Sequence, residues 1–94
     1  MKNKIQIEDR HLKMLNDILS KHPYQFYAYG SRSKWTSQKF SDLDLCYFNI
    51  PKEKVDEIKE EFTESDLPFF VEIVSWNKMK PSFQDNIKKD LLLL

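Results

Sequence analysis

Ninety-four residues make about one domain, 1–94, around a single core, with no room for a second of ordinary size. Hydrophobic residues supply 40% and charged residues 32%, no apolar run approaches the ~20 residues of a membrane span, and one cysteine with two histidines excludes an internal disulfide and a structural zinc site. The 15 basic and 15 acidic side chains cancel, which disfavours nucleic acid as a ligand because non-specific backbone binding needs a basic excess.

The opening MKNKIQIEDR lacks the apolar stretch of a signal peptide, so a cytoplasmic protein is expected. Ile7, Leu12, Leu15, Ile18 and Leu19 recur near a 3.6-residue period and predict a helix over 8–21, ended by Pro23. YQFYAY (24–29) carries aromatics on both alternating faces, as an inner strand would, and after a loop with room for a short helix LDLCYF (43–48) reads the same way. Pro51 suits a first helical turn, and Val55, Ile58 and Phe62 continue the stripe along KEKVDEIKEEFTES until Pro68. FFVEIV (69–74) predicts a third strand, apolar except for Glu72. From Pro81, Phe83, Ile87 and Leu91 mark a last helix before the terminal LLLL. With no repeats or linkers, the order predicts an α+β fold, a small sheet with helices packed on it.

Chemistry concentrates between Gly30 and Asp44. Residues two apart on a strand share a face, so Asp42 and Asp44 point together with Cα atoms roughly 6–7 Å apart. Adjacent carboxylates repel unless a proton or a cation lies between them, and an oxygen-only donor set favours Mg²⁺. So short a motif also suits a plain strand entrance, and other residues must decide. Glu72 is one: if its strand lies beside 43–48, it completes a three-carboxylate cluster, the alternative being a strand-edge glutamate paired with a lysine. Gly30, the single glycine of the chain, is the other. It follows a strand and precedes Ser31, where backbone without a Cβ can approach a ligand. If a short helix begins near Ser31, its free amides and hydroxyl form a phosphate-sized site, with Arg32 and Lys34 adding charge.

The pattern Gly30-Ser31, ten residues, Asp42-Leu43-Asp44, then the acid of VEIVSW resembles the nucleotidyltransferase superfamily that includes DNA polymerase beta, and most of all its minimal nucleotidyltransferase branch. The resemblance runs from the leading helix through YAYGSRSKW, FSDLDL and ESDLPFFVEIVSW to the closing helix. It implies a three-stranded mixed sheet flanked by helices. It implies two Mg²⁺ ions held by Asp42 and Asp44, with Glu72 binding the catalytic ion and helping to deprotonate the attacking hydroxyl. Gly30 and Ser31 would grip the β- and γ-phosphates of a nucleoside triphosphate, so that a hydroxyl attacks the α-phosphorus and pyrophosphate leaves. The implied reaction is transfer of AMP from ATP to a hydroxyl. Two positions depart from the family's pattern: its third acid is most often aspartate, one methylene shorter than Glu72, and Trp35 stands where members usually have glycine. Both bear on turnover more than on nucleotide binding.

The branch often works beside an all-helical HEPN-type protein, which implies an antitoxin that modifies a tyrosine of a partner toxin. The alternative expectation is a catalytically weak or inactive module that neutralises or scaffolds a helical partner by binding alone. Four consecutive leucines cannot all point inward from one helix, so the tail must expose some, form an edge strand or meet a partner, giving a homo- or hetero-oligomer; or it closes the core. Cys46 shares the face of the aspartates and reads as a small buried core residue rather than a nucleophile. Trp35 and Phe40 read as packing in preference to base stacking, and His11 and His22 as surface residues.

Overall fold

Strand β2 (Leu43–Tyr47) lies inside a four-stranded sheet, flanked by β1 (Tyr27–Tyr29) and β3 (Val71–Ser75), with β4 (Leu92–Leu93) beyond β1. The computed structural model describes residues 3–94. β1 runs antiparallel to both β2 and β4, whereas β2 and β3 are parallel and joined through α3 (Lys52–Glu64), as a parallel crossover requires. The remaining elements are α1 (Asp9–Leu19), a single-turn α2 (Ser31–Lys34), α4 (Pro81–Ile87), and 3-10 turns at Trp76–Lys78 and Lys88–Asp90.

Alternation along β2 divides the core into two layers. Leu43 and Leu45 face one side with Ala28, Val71 and Ile73, where Leu15 and Ile18 of α1 and Val55, Ile58 and Phe62 of α3 close over them. Asp44 and Cys46 face the other side, which is covered more thinly by α4 through Ile87, with Tyr29, Trp76, Met79 and Leu91 around it. The helix ends follow local chemistry. The Pro51 carbonyl accepts from the Lys54 and Val55 amides at 3.0 and 3.1 Å, and α3 stops where the Ser65 hydroxyl folds back 2.7 Å onto the Phe62 carbonyl.

Several expectations need correction. The sheet has four strands rather than three, because the terminal leucines form β4 and the Leu94 amide reaches the Phe26 carbonyl at 3.0 Å. Leu92 and Leu94 pack on the larger core layer and Leu91 on the smaller; Leu93 alone of the four is counted as exposed, so the tail mainly seals the sheet. The first strand is shorter than 24–29, since only three of its residues find partners on β2. His11 is buried rather than superficial, its Nδ1 3.2 Å from Glu8 and its ring edge-on to Phe69. The His22 side chain is likewise tucked away, 3.1 Å from Glu61 on α3, and links the loop after α1 to that helix.

Candidate active site

The parallel register sets Asp44 of β2 directly beside Glu72 of β3, and the antiparallel register sets Tyr29 of β1 on its other flank. Asp44 is half-buried, and its carboxyl is hydrogen-bonded to that of Glu72. Burial first, then the charges of Glu72 and Asp42, push the Asp44 carboxyl up to about 6. Tyr29 feels the same field: burial, then Asp44 and Glu72, push its phenol up to about 12, so it stays neutral. Cys46, two residues along, is raised to about 11 by burial and remains an inert thiol, in keeping with a core residue.

Asp42 precedes β2 rather than lying on it, and is exposed, but it is close enough to raise Asp44. Glu72 is also exposed, and β3 is the outer strand of the sheet, not the buried strand that FFVEIV suggests. Gly30 completes the arrangement. It caps α2 at φ 81°, ψ −155°, a region essentially reserved for glycine, and a Cβ there would stand 2.8 Å from Asp44 Oδ2. The single glycine therefore lets main chain close directly onto the carboxylate, with Ser31 beginning the helix beside it.

Arg32 does not supply charge to this opening. It is 3% exposed, and its guanidinium donates to the carbonyls of Ser41 (3.0 and 2.8 Å), Gln6 (2.6 Å) and Lys39 (3.0 Å) while lying 4.1 Å over the Phe69 ring. Burial lowers its pKa, and Asp42 acts in the opposite sense. Four charge-assisted bonds offset the desolvation, and they tie the N-terminal segment to the loop that delivers Asp42. Arg32 is thus a clamp on the loop, a role that nothing in a Gly-Ser-Arg string distinguishes from phosphate binding. Lys34 lies 3.6 Å from Asp90 Oδ2, and the neighbouring Ser33 hydroxyl donates to the Asp90 carbonyl at 2.6 Å, so α2 is strapped to the turn before β4.

Trp35 ends α2 at φ 62°, ψ 36°, the left-handed conformation that glycine usually occupies at a helix end. A bulky side chain there costs about 1 kcal/mol, which gives the departure noted in the sequence a physical content. Tyr29 is the residue that sequence reasoning passed over. Its position immediately before Gly30, at the end of a strand, was the available signal.

Among the described residues no three acidic, histidine or cysteine side chains are gathered into a ready-made metal cage. The donor chemistry nevertheless fits a hard divalent cation. The available donor atoms are all oxygens, and burial together with the charges of Glu72 and Asp42, which push Asp44 up to about 6, marks a place where positive charge is wanted.

The family described as "Polymerase beta, Nucleotidyltransferase" matches residues 13–94. The chain belongs to that family. It is 35% identical over 92 residues to "Probable protein adenylyltransferase MntA" of Haemophilus influenzae, covering 90% of this chain and 79% of that protein. A crystal structure of a candidate nucleotidyltransferase from Sulfolobus solfataricus aligns over 89% of this chain and 78% of that one, at 20% identity and a TM-score of 0.49. The nucleotidyltransferase is therefore an enzyme of the transferase class with a mixed α+β sheet. No helix among the described residues is long and apolar enough to cross a membrane.

Proposed function

We propose that this nucleotidyltransferase acts in the cytoplasm as one domain that transfers AMP from ATP to a hydroxyl of a protein, the acceptor being a tyrosine of a HEPN-type helical toxin and this chain its antitoxin. The observation that carries the reading is the half-buried Asp44 carboxyl, set beside Glu72 and so near Gly30 that a Cβ there would stand 2.8 Å from its Oδ2. Kinship with a protein named as an adenylyltransferase supports the choice of nucleotide and of a protein acceptor. In this reading Gly30 and Ser31 offer main-chain amides and a hydroxyl to the β- and γ-phosphates. Lys34 reaches them only by leaving Asp90.

Asp42, Asp44 and Glu72 are the residues that would hold Mg²⁺, which supplies charge neutralisation at the phosphates. The acceptor oxygen bonds to the α-phosphorus as the bond to the bridging β-oxygen breaks, and pyrophosphate departs. Glu72, the most accessible member of the pair, takes the proton from the incoming hydroxyl. Arg32 acts at one remove, by fixing the loop before Asp42.

The test is incubation with Mg²⁺, α-labelled ATP and a helical partner protein. Label should remain on the partner, and Asp44→Asn should reduce transfer by about a thousandfold or more, as expected when a charge-stabilising group is lost. Full neutralisation of the partner by the Asp42→Asn/Asp44→Asn double variant, with no label transferred, overturns the proposal.

A further inference from the structure

Strand β3 has β2 on one side, and among the described residues no strand on the other. The Leu43 amide donates to the Phe70 carbonyl, and with Leu43 in register with Val71 this sets the alternation. Residues 70, 72 and 74 turn main-chain groups toward β2, whereas Val71 and Ile73 turn theirs outward. Edge strands are ordinarily blunted by charge, proline or a bulge. The single charge here is Glu72, and Phe70 beside it is 60% exposed. A cavity of about 520 Å³ follows this edge, lined by residues 70–74, with Lys59 and Thr63 of α3 as its opposite wall.

We propose that this edge is the acceptor site. An extended segment of the acceptor protein, a loop or tail outside its helices, adds as a fifth strand against β3, bonded to the outward amides and carbonyls of Val71 and Ile73. Its hydroxyl-bearing side chain lies on the face of Glu72. The inference rests on the transfer reading above, which puts the reacting hydroxyl beside that carboxylate. Added strands lie roughly 4.8 Å away and project alternate side chains to opposite faces. A residue opposite Glu72 therefore meets the outer acid of the pair, with Asp44 one strand further in, and residues two away on either side meet Phe70 and Val74. Its immediate neighbours point toward Lys59 and Thr63. Lys59 makes no ion pair among the described residues, so acidic neighbours complement it. A second copy of this chain is the poorer occupant, because two-fold pairing of β3 with β3 would bring two acidic clusters together.

The experiment uses isotope-labelled full chain and a blocked heptapeptide with tyrosine at its centre, aspartate on both sides of it and valine two positions away in each direction. Addition of the peptide should shift the Val71 and Ile73 amides and slow their hydrogen exchange. Methylating the peptide nitrogens that face β3 should weaken binding by about tenfold, the loss of one or two hydrogen bonds. Lys59→Glu should weaken it about fivefold, with recovery when the aspartates are replaced by lysines. Asp44→Asn should leave binding in place. Unmoved Val71 and Ile73 amides at millimolar peptide overturn the proposal, as does protection that grows with protein concentration alone. If label passes from ATP to a protein hydroxyl while these amides stay undisturbed, the edge site fails and the transfer reading survives. If the amides respond and no hydroxyl is ever labelled, the transfer reading fails and the edge site survives.

Discussion

On one face of β2, Leu43 and Leu45 are sealed beneath α1 and α3; on the other, one residue away, Asp44 lies beside Glu72 under thinner cover. The first face is apolar and stabilising throughout. The second holds a carboxyl that burial and two like charges hold protonated to about pH 6. A five-residue strand thus carries core packing on one face and the candidate site on the other, and period-two alternation keeps the two from mixing. The comparison teaches that electrostatic conflict sits where the fold is least closed, while the larger layer supplies the stability that tolerates it.

The contrast breaks most visibly on the sealed face. Leu45 is fully buried, and Leu45→Ala should lower stability by about 3–4 kcal/mol through lost transfer energy and an unfilled cavity. Urea denaturation would measure the loss, and transfer per folded molecule should be unchanged. A large fall in that specific activity would show that the two faces are not independent.

Next in size is Gly30→Ala. The alanine must hold a glycine-only backbone conformation, and its methyl would enter within 2.8 Å of Asp44 Oδ2. Stability should fall by about 2 kcal/mol, and transfer by about a hundredfold as the carboxylate is displaced. Wild-type activity in this variant would mean that close approach at Gly30 is incidental to the chemistry.

The sequence made the sealed face readable and the open face only half so. Periodicity in α1 and α3 and the Leu43/Leu45 alternation follow from burial, which is written in apolar spacing. The Asp44–Glu72 meeting depended on a strand order that spacing does not encode, and was legible through family resemblance. The edge position of β3 was not, because a strand covered on one face and one side carries nearly the same apolar run as a central one. Arg32 misled because its acceptors are main-chain carbonyls, up to 26 residues away and invisible in side-chain identity. His11 misled because a helical histidine with a carboxylate three residues earlier looks exposed until Phe69 closes over it. The short β4 lay hidden in a leucine run that suits helix, strand or interface equally.

The smallest effect tests the open face directly. The Asp44 carboxyl titrates near 3.8 when unfolded and about 6 when folded, so between these values the folded state binds more protons. Stability of the metal-free protein should therefore decline as pH rises from about 4 to about 6, by on the order of 1–2 kcal/mol once solvent screening at a half-buried site is allowed for. Asparagine stays neutral at every pH and its amide can still donate to Glu72, so Asp44→Asn should flatten this part of the profile. It should be more stable than wild type at pH 7 and equal to it near pH 4, even as transfer falls. Mg²⁺ should reverse the ranking at pH 7 by raising the melting temperature of the wild type while leaving the variant unmoved. If the two proteins melt alike at pH 7 with and without Mg²⁺, Asp44 is an ordinary solvated acid, and the contrast between the two faces of β2 loses its electrostatic half.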